Sequence, residues 1–427
     1  MTVSEVDVEV ATRSTEREAG GRTAVRNEAA LVGFMGVSNL ADGIFKIALP
    51  YMALALTDSP ALVAGVALTL TLPWLLISLH VGVLVDRLDR RRLVVVGNLT
   101  RLTAALGLLL AYALEALSLP MLYGVGLVVG VTDVLVSTAV GAIIPAAVPR
   151  RRLGRANAWI AGAETVANEF AGPALGGLLL GIGVSVALGW TAAAFVLSAA
   201  LIMLVAGRFR PVPGEGESAG GKRSVLGDIK EGLLFLWRNP LLRVLNLTTA
   251  VLVGAWSAWL ALLPTYATGV LSVGAEGYGL LVGAIGVGGL LGAVLVAPAN
   301  RLLGMRWVLF ADLVGTFLMV FVPVVVPEAW AVGAAAFLGG MGGTLWSVNA
   351  RVISQTVVPD HLLGRYGAAA RTVTYGALPV GTVVAGAVAE FASPSAAFAL
   401  FAVGSAAVIV PFLKGVTAAR LRAATAE

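Results

Sequence analysis

The 427-residue chain contains no cysteine and two histidines. That excludes disulfides, iron–sulfur clusters and thiolate sites, and leaves little to hold a transition metal, so no metal site is expected. Charge is scarce as well: Asp, Glu, Lys and Arg make up 12% of the residues, about half the share usual in a soluble domain. No glycine-rich loop ends in Lys-Ser or Lys-Thr, which argues against an ATP-driven pump. No nucleophile–base signature points to an enzyme. The net charge of +5 does not sit on basic runs interleaved with aromatics outside the apolar stretches, so no nucleic-acid partner is expected.

What the chain has in excess is apolar sequence, at 58% of its residues. Crossing the hydrocarbon core takes about 20 residues. Twelve stretches are long enough, roughly 30–54, 61–82, 93–114, 119–146, 156–182, 184–207, 244–271, 277–298, 307–326, 329–356, 365–389 and 395–415. Rich in Ala, Gly, Leu and Val and separated by turns, they read as helices rather than barrel strands. The expected class is an all-α integral membrane protein embedded in the lipid bilayer. Residues 1–29, with several acids and four arginines, form a polar tail unlike a signal or transit peptide.

One set of connections holds Asp58, Glu115, Glu276, Glu328 and Glu390 and no Lys or Arg. The other holds Arg87–Arg92, Arg150–Arg155, Arg208–Arg243, Arg301–Arg306 and Arg365. Basic loops stay inside, so both termini are expected in the cytoplasm.

The chain repeats itself. Val148-Pro149, Leu153-Gly154-Arg155 and Val358-Pro359, Leu363-Gly364-Arg365 share five identities at a constant offset of 210. The expected organisation is a six-helix bundle over 30–207, a linker over 208–243, a second bundle over 244–415 and a tail over 416–427. Two such halves with a binding site between them at mid-membrane suit alternating exposure of that site. Pro211, Pro213, Gly214 and Gly216 make the linker flexible. Val225, Ile229, Leu233 and Leu236 then fall at helical spacing opposite Asp228 and Glu231, which reads as an amphipathic helix on the inner leaflet.

The loop between the second and third spans reads Gly82-Val-Leu-Val-Asp86-Arg87-Leu-Asp89-Arg90-Arg91-Arg92. It resembles the signature of the major facilitator superfamily at Gly82, Asp86, Arg87, Arg90 and Arg91. Asp89 stands where that family often has a second glycine. The resemblance implies that Asp86 docks on the other half when the cytoplasmic side is closed, with the N-terminus of the eleventh helix, near Gly364-Arg365, as its partner. A carboxylate is stabilised at such a place. In the fifth span Gly172-Pro173-x-x-Gly176-Gly177 resembles the C-terminal part of the motif of drug-type proton antiporters. Trp159 and Asn168 replace that motif's leading glycines. Leu153-Gly-Arg-Ala-Asn157 looks like the bacterial branch that contains macrolide-efflux and enterobactin-exporter proteins.

An ionisable group at mid-bilayer costs on the order of 3 kcal/mol or more, so each needs a reason. In the first span Asn39, Asp42 and Lys46 form one polar stripe expected to face the cavity, with Lys46 a turn away from Asp42 to neutralise it. Asp133 lies near the middle of the fourth span, either as a proton site or as the ion-pair partner of Arg101. Glu164 and Glu169 lie in the fifth, Glu169 one turn before Gly-Pro. Glu169 is the first choice for a proton carrier, then Asp133, then Glu164, because burial raises a carboxylate toward the physiological range. The second half holds Asp312, Arg351 and Arg371 near the cytoplasmic ends, where snorkelling or loop pairing suffices. It offers aromatics instead, with Trp256, Trp346 and Asn349 as candidate cavity residues.

The expectation is a secondary active transporter in a bacterial plasma membrane, exporting a small amphipathic organic compound in exchange for protons. It would act as a monomer, driven by the proton gradient and without a cofactor. An importer or lysolipid flippase of the same fold is the alternative, and a non-transporting membrane sensor or scaffold is the alternative of another class.

Overall fold

A computed structural model describes residues 3–85, 87–207, 209, 225–359 and 362–425. They are helical with short connections. In chain order the first set comprises α1 (Val3–Ala53), α2 (Pro60–Leu76), α3 (Ser78–Val85), α4 (Arg90–Ala113), α5 (Leu119–Ala147), α6 (Arg150–Thr165), a π-helical turn (Val166–Ala171), α7 (Gly172–Ile182) and α8 (Val184–Met203). After α9 (Val225–Arg238) the second set comprises α10 (Pro240–Gly269), α11 (Ala275–Leu303), α12 (Met305–Val325), α13 (Ala329–Val357), α14 (Leu363–Tyr375), α15 (Ala377–Phe391), α16 (Pro394–Ala407) and α17 (Ile409–Gly415). Last comes α18 (Ala418–Thr425). Among the described residues ten helical segments are long and apolar enough to cross a membrane. The two remaining stretches are each made of helices in series, α2 with α3, and α6 with the π turn and α7.

The internal repeat is visible in hydrogen bonds. Val148 N–H donates to Ile144 O and Val358 N–H to Ser354 O, both at 3.1 Å. Arg152 N–H donates to Pro149 O and Leu362 N–H to Pro359 O, both at 2.8 Å. Each pair keeps the offset of 210 seen in the sequence. In each copy a proline without an N–H follows the valine that caps the helix, so the chain turns the same corner.

Three features go beyond the sequence pattern. The polar segment over residues 3–29 is helical, because α1 runs through it without a break. Its side chains Asn27 and Glu28 fasten the arginine-rich end of the first set. The Asn27 amide donates to Ala147 O (3.0 Å) and Ala206 O (2.9 Å), and Glu28 pairs with Arg152 (2.8 Å) and Arg155 (3.0 Å). Asp89 caps α4 by accepting from Arg92 N–H at 3.1 Å. Finally, α9 docks on α14. Glu231 accepts from Arg365 at 2.8 Å, Phe235 meets Tyr366 edge to face, and Leu236 is fully buried. Gly232 is pressed so close that a Cβ would lie 2.2 Å from Arg365 O.

The two sets meet along α2 with α15 and α7 with α11, with further contacts of α10 on α2 and of the π turn on α11. These contacts close the end that carries the acidic connections. Glu390, at the end of α15, accepts from Ser59 Oγ (2.6 Å) and Ala61 N–H (3.3 Å), so it caps the N-terminus of α2 across the interface. Tyr51 stacks on Tyr278 at 5.3 Å between centroids. At the arginine-rich end, α3 packs on α2 and α5, and α6 on α1 and α5, all within the first set.

Closure rests on Gly177 and Gly279, where a Cβ on Gly177 would sit 2.3 Å from Gly279 Cα. Backbone cannot yield as a side chain can, and overpacking of this kind costs about 1–3 kcal/mol or more. Gly177→Val is therefore expected to shift the protein toward opening at the acidic end by roughly 5- to 150-fold. Because the chain has no natural cysteine, one placed at Ala61 reports this directly. Its labelling by an impermeant maleimide from the acidic side should rise in the Gly177→Val background; unchanged labelling would show that this contact does not hold the end shut.

Candidate functional site

The polar residues of the first set converge on Arg101, in the middle of α4 and fully buried. Its Nη1 donates to Asp42 Oδ2 (3.0 Å) and Ser38 Oγ (3.3 Å) on α1. Its Nε donates to Thr132 Oγ1 and its Nη2 to Asp133 Oδ1 on α5, both at 3.1 Å. The guanidinium also lies over the ring of Phe195 on α8, 5.7 Å from its centroid. Trp74 on α2 completes the group by donating its indole N–H to Asp133 Oδ2 at 2.7 Å. One cation thus ties together five helices.

Asp42 and Asp133 share this cation but not the same surroundings. The Asp42 side chain keeps 8% of its exposure, and its Oδ1 has no hydrogen-bond partner. Asp133 keeps 24%. Asp133 thus keeps accessible surface while paired, whereas Asp42 is nearly enclosed. The stripe along α1 is corrected in one respect, because the ion pair of Asp42 runs across to Arg101. Lys46 turns to the Asn168 side-chain oxygen, and the Asn168 amide donates to Asn39 Oδ1 at 2.8 Å. Asn39 in turn donates to Met35 O at 2.9 Å.

Asn168 stands in the π turn Val166–Ala171, just before Pro173. Gly172 N–H donates back to Ala167 O, five residues earlier, which widens the helix where proline leaves a carbonyl without a partner. Glu164 is exposed on α6. Glu169 belongs to the π turn, and its side chain lies outside the described residues. The glycines of the same motif seat different neighbours. Gly172 faces Gly43 on α1, where a Cβ would lie 2.8 Å from the Gly43 Cα, and Gly176 faces Ile44, while Gly177 meets the other set.

The loop after α3 is likewise divided. Asp86 lies outside the described residues, Gly82 has open space where a Cβ would be, and Arg87 is exposed. Arg90 donates to Ala142 O at 3.2 Å and Arg91 lies 4.9 Å from the centroid of Phe209. These two arginines hold the start of α4 to α5 and to the end of the first set.

Two candidate cavity residues of the second set are corrected. Trp346 is 4% exposed, donates to Thr249 Oγ1 at 3.0 Å and packs on Phe412. Asn349 is 1% exposed, donates to Leu345 O at 2.9 Å and accepts from Asn300 at 2.8 Å. Their polar atoms are spent on helix packing, so neither presents a wall to a cavity. Trp259 and Tyr266, further along α10, are fully buried as well. Trp256 remains half-buried, with its indole N–H donating to Thr316 Oγ1 at 3.4 Å. The expectation that Asp312 snorkels or pairs with a loop does not hold either. It is 1% exposed and accepts one long hydrogen bond, 3.4 Å from Thr316 Oγ1.

Removing Arg101 would leave two carboxylates around an empty space. Breaking a buried pair from one side typically costs about 3–5 kcal/mol. Arg101→Ala is expected to lower the thermal stability of the detergent-purified protein strongly. Arg101→Lys should recover part of it, since an ammonium keeps the charge but not the planar fork. Adding Asp42→Asn and Asp133→Asn to Arg101→Leu should also recover much of the loss. Equal stability of Arg101→Ala and wild type would show that the cluster is not what holds these helices.

Comparisons with known proteins fit this architecture. The family model described as transmembrane secretion effector matches residues 33–426. The multidrug efflux pump Tap of Mycolicibacterium fortuitum is 28% identical over 391 residues, covering 87% of this chain and 93% of Tap. Among solved structures, a bacterial homologue of the iron transporter ferroportin in its inward-facing state superposes with a TM-score of 0.70 at 17% identity, covering 91% of this chain and 98% of that one. An outward-facing structure of a bacterial ferroportin homologue gives 0.58 at 18% identity, with the same coverage. The chain belongs to the transmembrane secretion effector family of the major facilitator superfamily, and is an integral membrane transporter rather than an enzyme.

Proposed function

We propose that this transporter exports small amphipathic organic compounds across a bacterial plasma membrane in exchange for protons, with both termini in the cytoplasm. The observation that carries the proton coupling is the pair of carboxylates on one guanidinium, Asp42 sealed and Asp133 open at 24%. Two carboxylates in contact with one cation favour binding of a proton by one of them. Asp133 is the one water can reach. Its second oxygen already accepts from Trp74, so gain of a proton would disturb contacts between α2, α4 and α5 together.

The direction of transport is supported by the similarity to Tap over nearly its whole length. What supports the substrate class is the surroundings: acids and amides on one side, the half-buried Trp256 on the other. Arginine-rich loops inside make the closed, acidic end the outer one. The present arrangement is then inward-facing, in keeping with the higher score against the inward-facing neighbour. Protons from outside would load Asp133, with Glu169 and Glu164 as further acids on the same side, and cytoplasmic substrate would promote their release inward. Coupling requires only that each ligand shift the balance of the two conformations. Asp86, with Gly82, Arg87, Arg90 and Arg91 around it, would close the inner end, and Arg365, now held by Glu231, is the group on α14 that it would approach.

Inside-out vesicles acidified by respiration test this reading, with ethidium, a macrolide and a lysolipid added in turn. Wild type should release protons on addition of at least one of them. Asp133→Asn should lose that release by tenfold or more, on the scale usual for a group acting in proton transfer. Loss in Glu169→Gln but not in Asp133→Asn would move the proton site to the π turn. Accumulation of the compound without proton movement in wild type would replace antiport by another mode, and uptake in the opposite direction would replace export.

A further inference from the structure

The second set contains an acid that the exchange described above does not use. Asp312 lies two turns inside α12, and its residue is 1% exposed. Across from it stands Gly342 on α13, where even a Cβ would come within 2.5 Å of Asp312 Oδ1. Its one hydrogen bond comes from Thr316 Oγ1, at 3.4 Å. By comparison, Asp42 in the first set receives a guanidinium at 3.0 Å.

Among the described residues, every charged group on the elements around Asp312 is engaged or exposed. Arg306, on its own helix, donates to Leu413 O at 3.0 Å and lies over the Trp307 ring. Arg243 on α10, Glu276 and Arg301 on α11, Arg351 on α13 and Lys414 on α17 are all exposed, and α16 carries no charged residue. An ionised carboxylate so sealed, with one long neutral hydrogen bond, would cost several kcal/mol. A bound proton removes that charge.

Thr316 connects the acid to a surface that can move. Its hydroxyl lies between Asp312 and the indole N–H of Trp256, 3.4 Å from each. Trp256 is half-buried on α10, a helix that also packs on α1 and α2 of the first set. Its ring edge rests on Gly343, where a Cβ would be 3.0 Å away. Displacement of Trp256 would uncover Thr316 and open a path for water to the carboxyl.

We propose that Asp312 is a second proton-binding site of this transporter, held as the neutral acid beneath Thr316 and exposed for exchange when Trp256 moves with α10. The step is the addition or removal of one proton at a carboxylate oxygen, with no other bond changed. As a part of transport it rests on the antiport reading, whereas proton binding itself does not.

Infrared difference spectra of the full, detergent-purified chain between about pH 5 and pH 9 decide the binding, a range that covers strongly shifted buried carboxyls. Wild type should show a protonated-carboxyl band at the acid end that is absent from Asp312→Asn. Trp256→Phe, which lacks the indole donor, should speed hydrogen–deuterium exchange of that band several-fold. An identical spectrum in Asp312→Asn would overturn the proposal, because a carboxyl that stays neutral throughout is a packing group only. Should Asn not give a folded protein, Asp312→Ser is read in the same way. In vesicles with ethidium, Asp312→Asn should lower the protons exchanged per dye by a whole proton. If wild-type vesicles show no exchange at all, antiport fails, and the infrared band still decides whether Asp312 binds a proton.

Discussion

The first set of helices depends on one buried guanidinium. Arg101 is fully enclosed, and a charge in that position is tolerable only because each of its donating edges finds an acceptor. Those acceptors come from α1 and α5, and Phe195 of α8 covers its face. The constraint therefore fixes how α1, α4, α5 and α8 approach one another. It also fixes where negative charge stands, since Asp42 and Asp133 cannot leave without orphaning the cation. A site that binds protons gains from such a frame: one partner is tied down and the other can respond.

Between the sets the governing constraint is different. No ion pair among the described residues joins them; instead backbone meets backbone at Gly177 and Gly279. Close approach of small residues gives a contact dominated by dispersion, without strong directional bonds to break. Glu390 adds a cap on α2, polar but exposed to solvent. Such an interface holds one conformation and still releases it, as an alternating mechanism requires. The rigid charge cluster lies within one set, and the weaker contacts lie where motion must occur.

Much of this was legible in the sequence, for physical reasons that differ from element to element. Long apolar stretches and the Arg-rich loops follow from the bilayer itself, and the repeated Val-Pro and Leu-Gly-Arg corners reappear as paired hydrogen bonds. The link of Arg101 to Asp133 could be named because both are ionisable residues at similar depth on adjacent helices. Its second arm to Asp42 was obscured by Lys46, one turn away and the simpler partner in a linear reading. The π turn was not visible, since the position of the extra residue depends on how α1 and α11 press on the helix around Pro173. Trp346 and Asn349 looked like cavity residues because spacing along a helix does not say which neighbour lies on each face. Asp312 was misjudged by its distance from the helix end; depth along the helix says nothing about burial by α13. Asp89 had a readable signal, an acid directly before a helical run, which is the usual N-cap pattern.

The two sets thus hold their acids in opposite ways. Asp133 is paired with a cation and open to water, whereas Asp312 is unpaired among the described residues and closed. A fixed cation beside a carboxylate favours the ionised form, and desolvation without a cation favours the neutral form. If both take part in the proposed cycle, they need not load together: the event that matters at Asp133 is loss of its contact with Arg101 or Trp74, and at Asp312 it is admission of water past Trp256. Both events involve helices at the interface between the sets, α2 in one case and α10 in the other, and these two helices touch. A substrate lodged against them would act on both acids through one displacement, without having to reach either carboxyl.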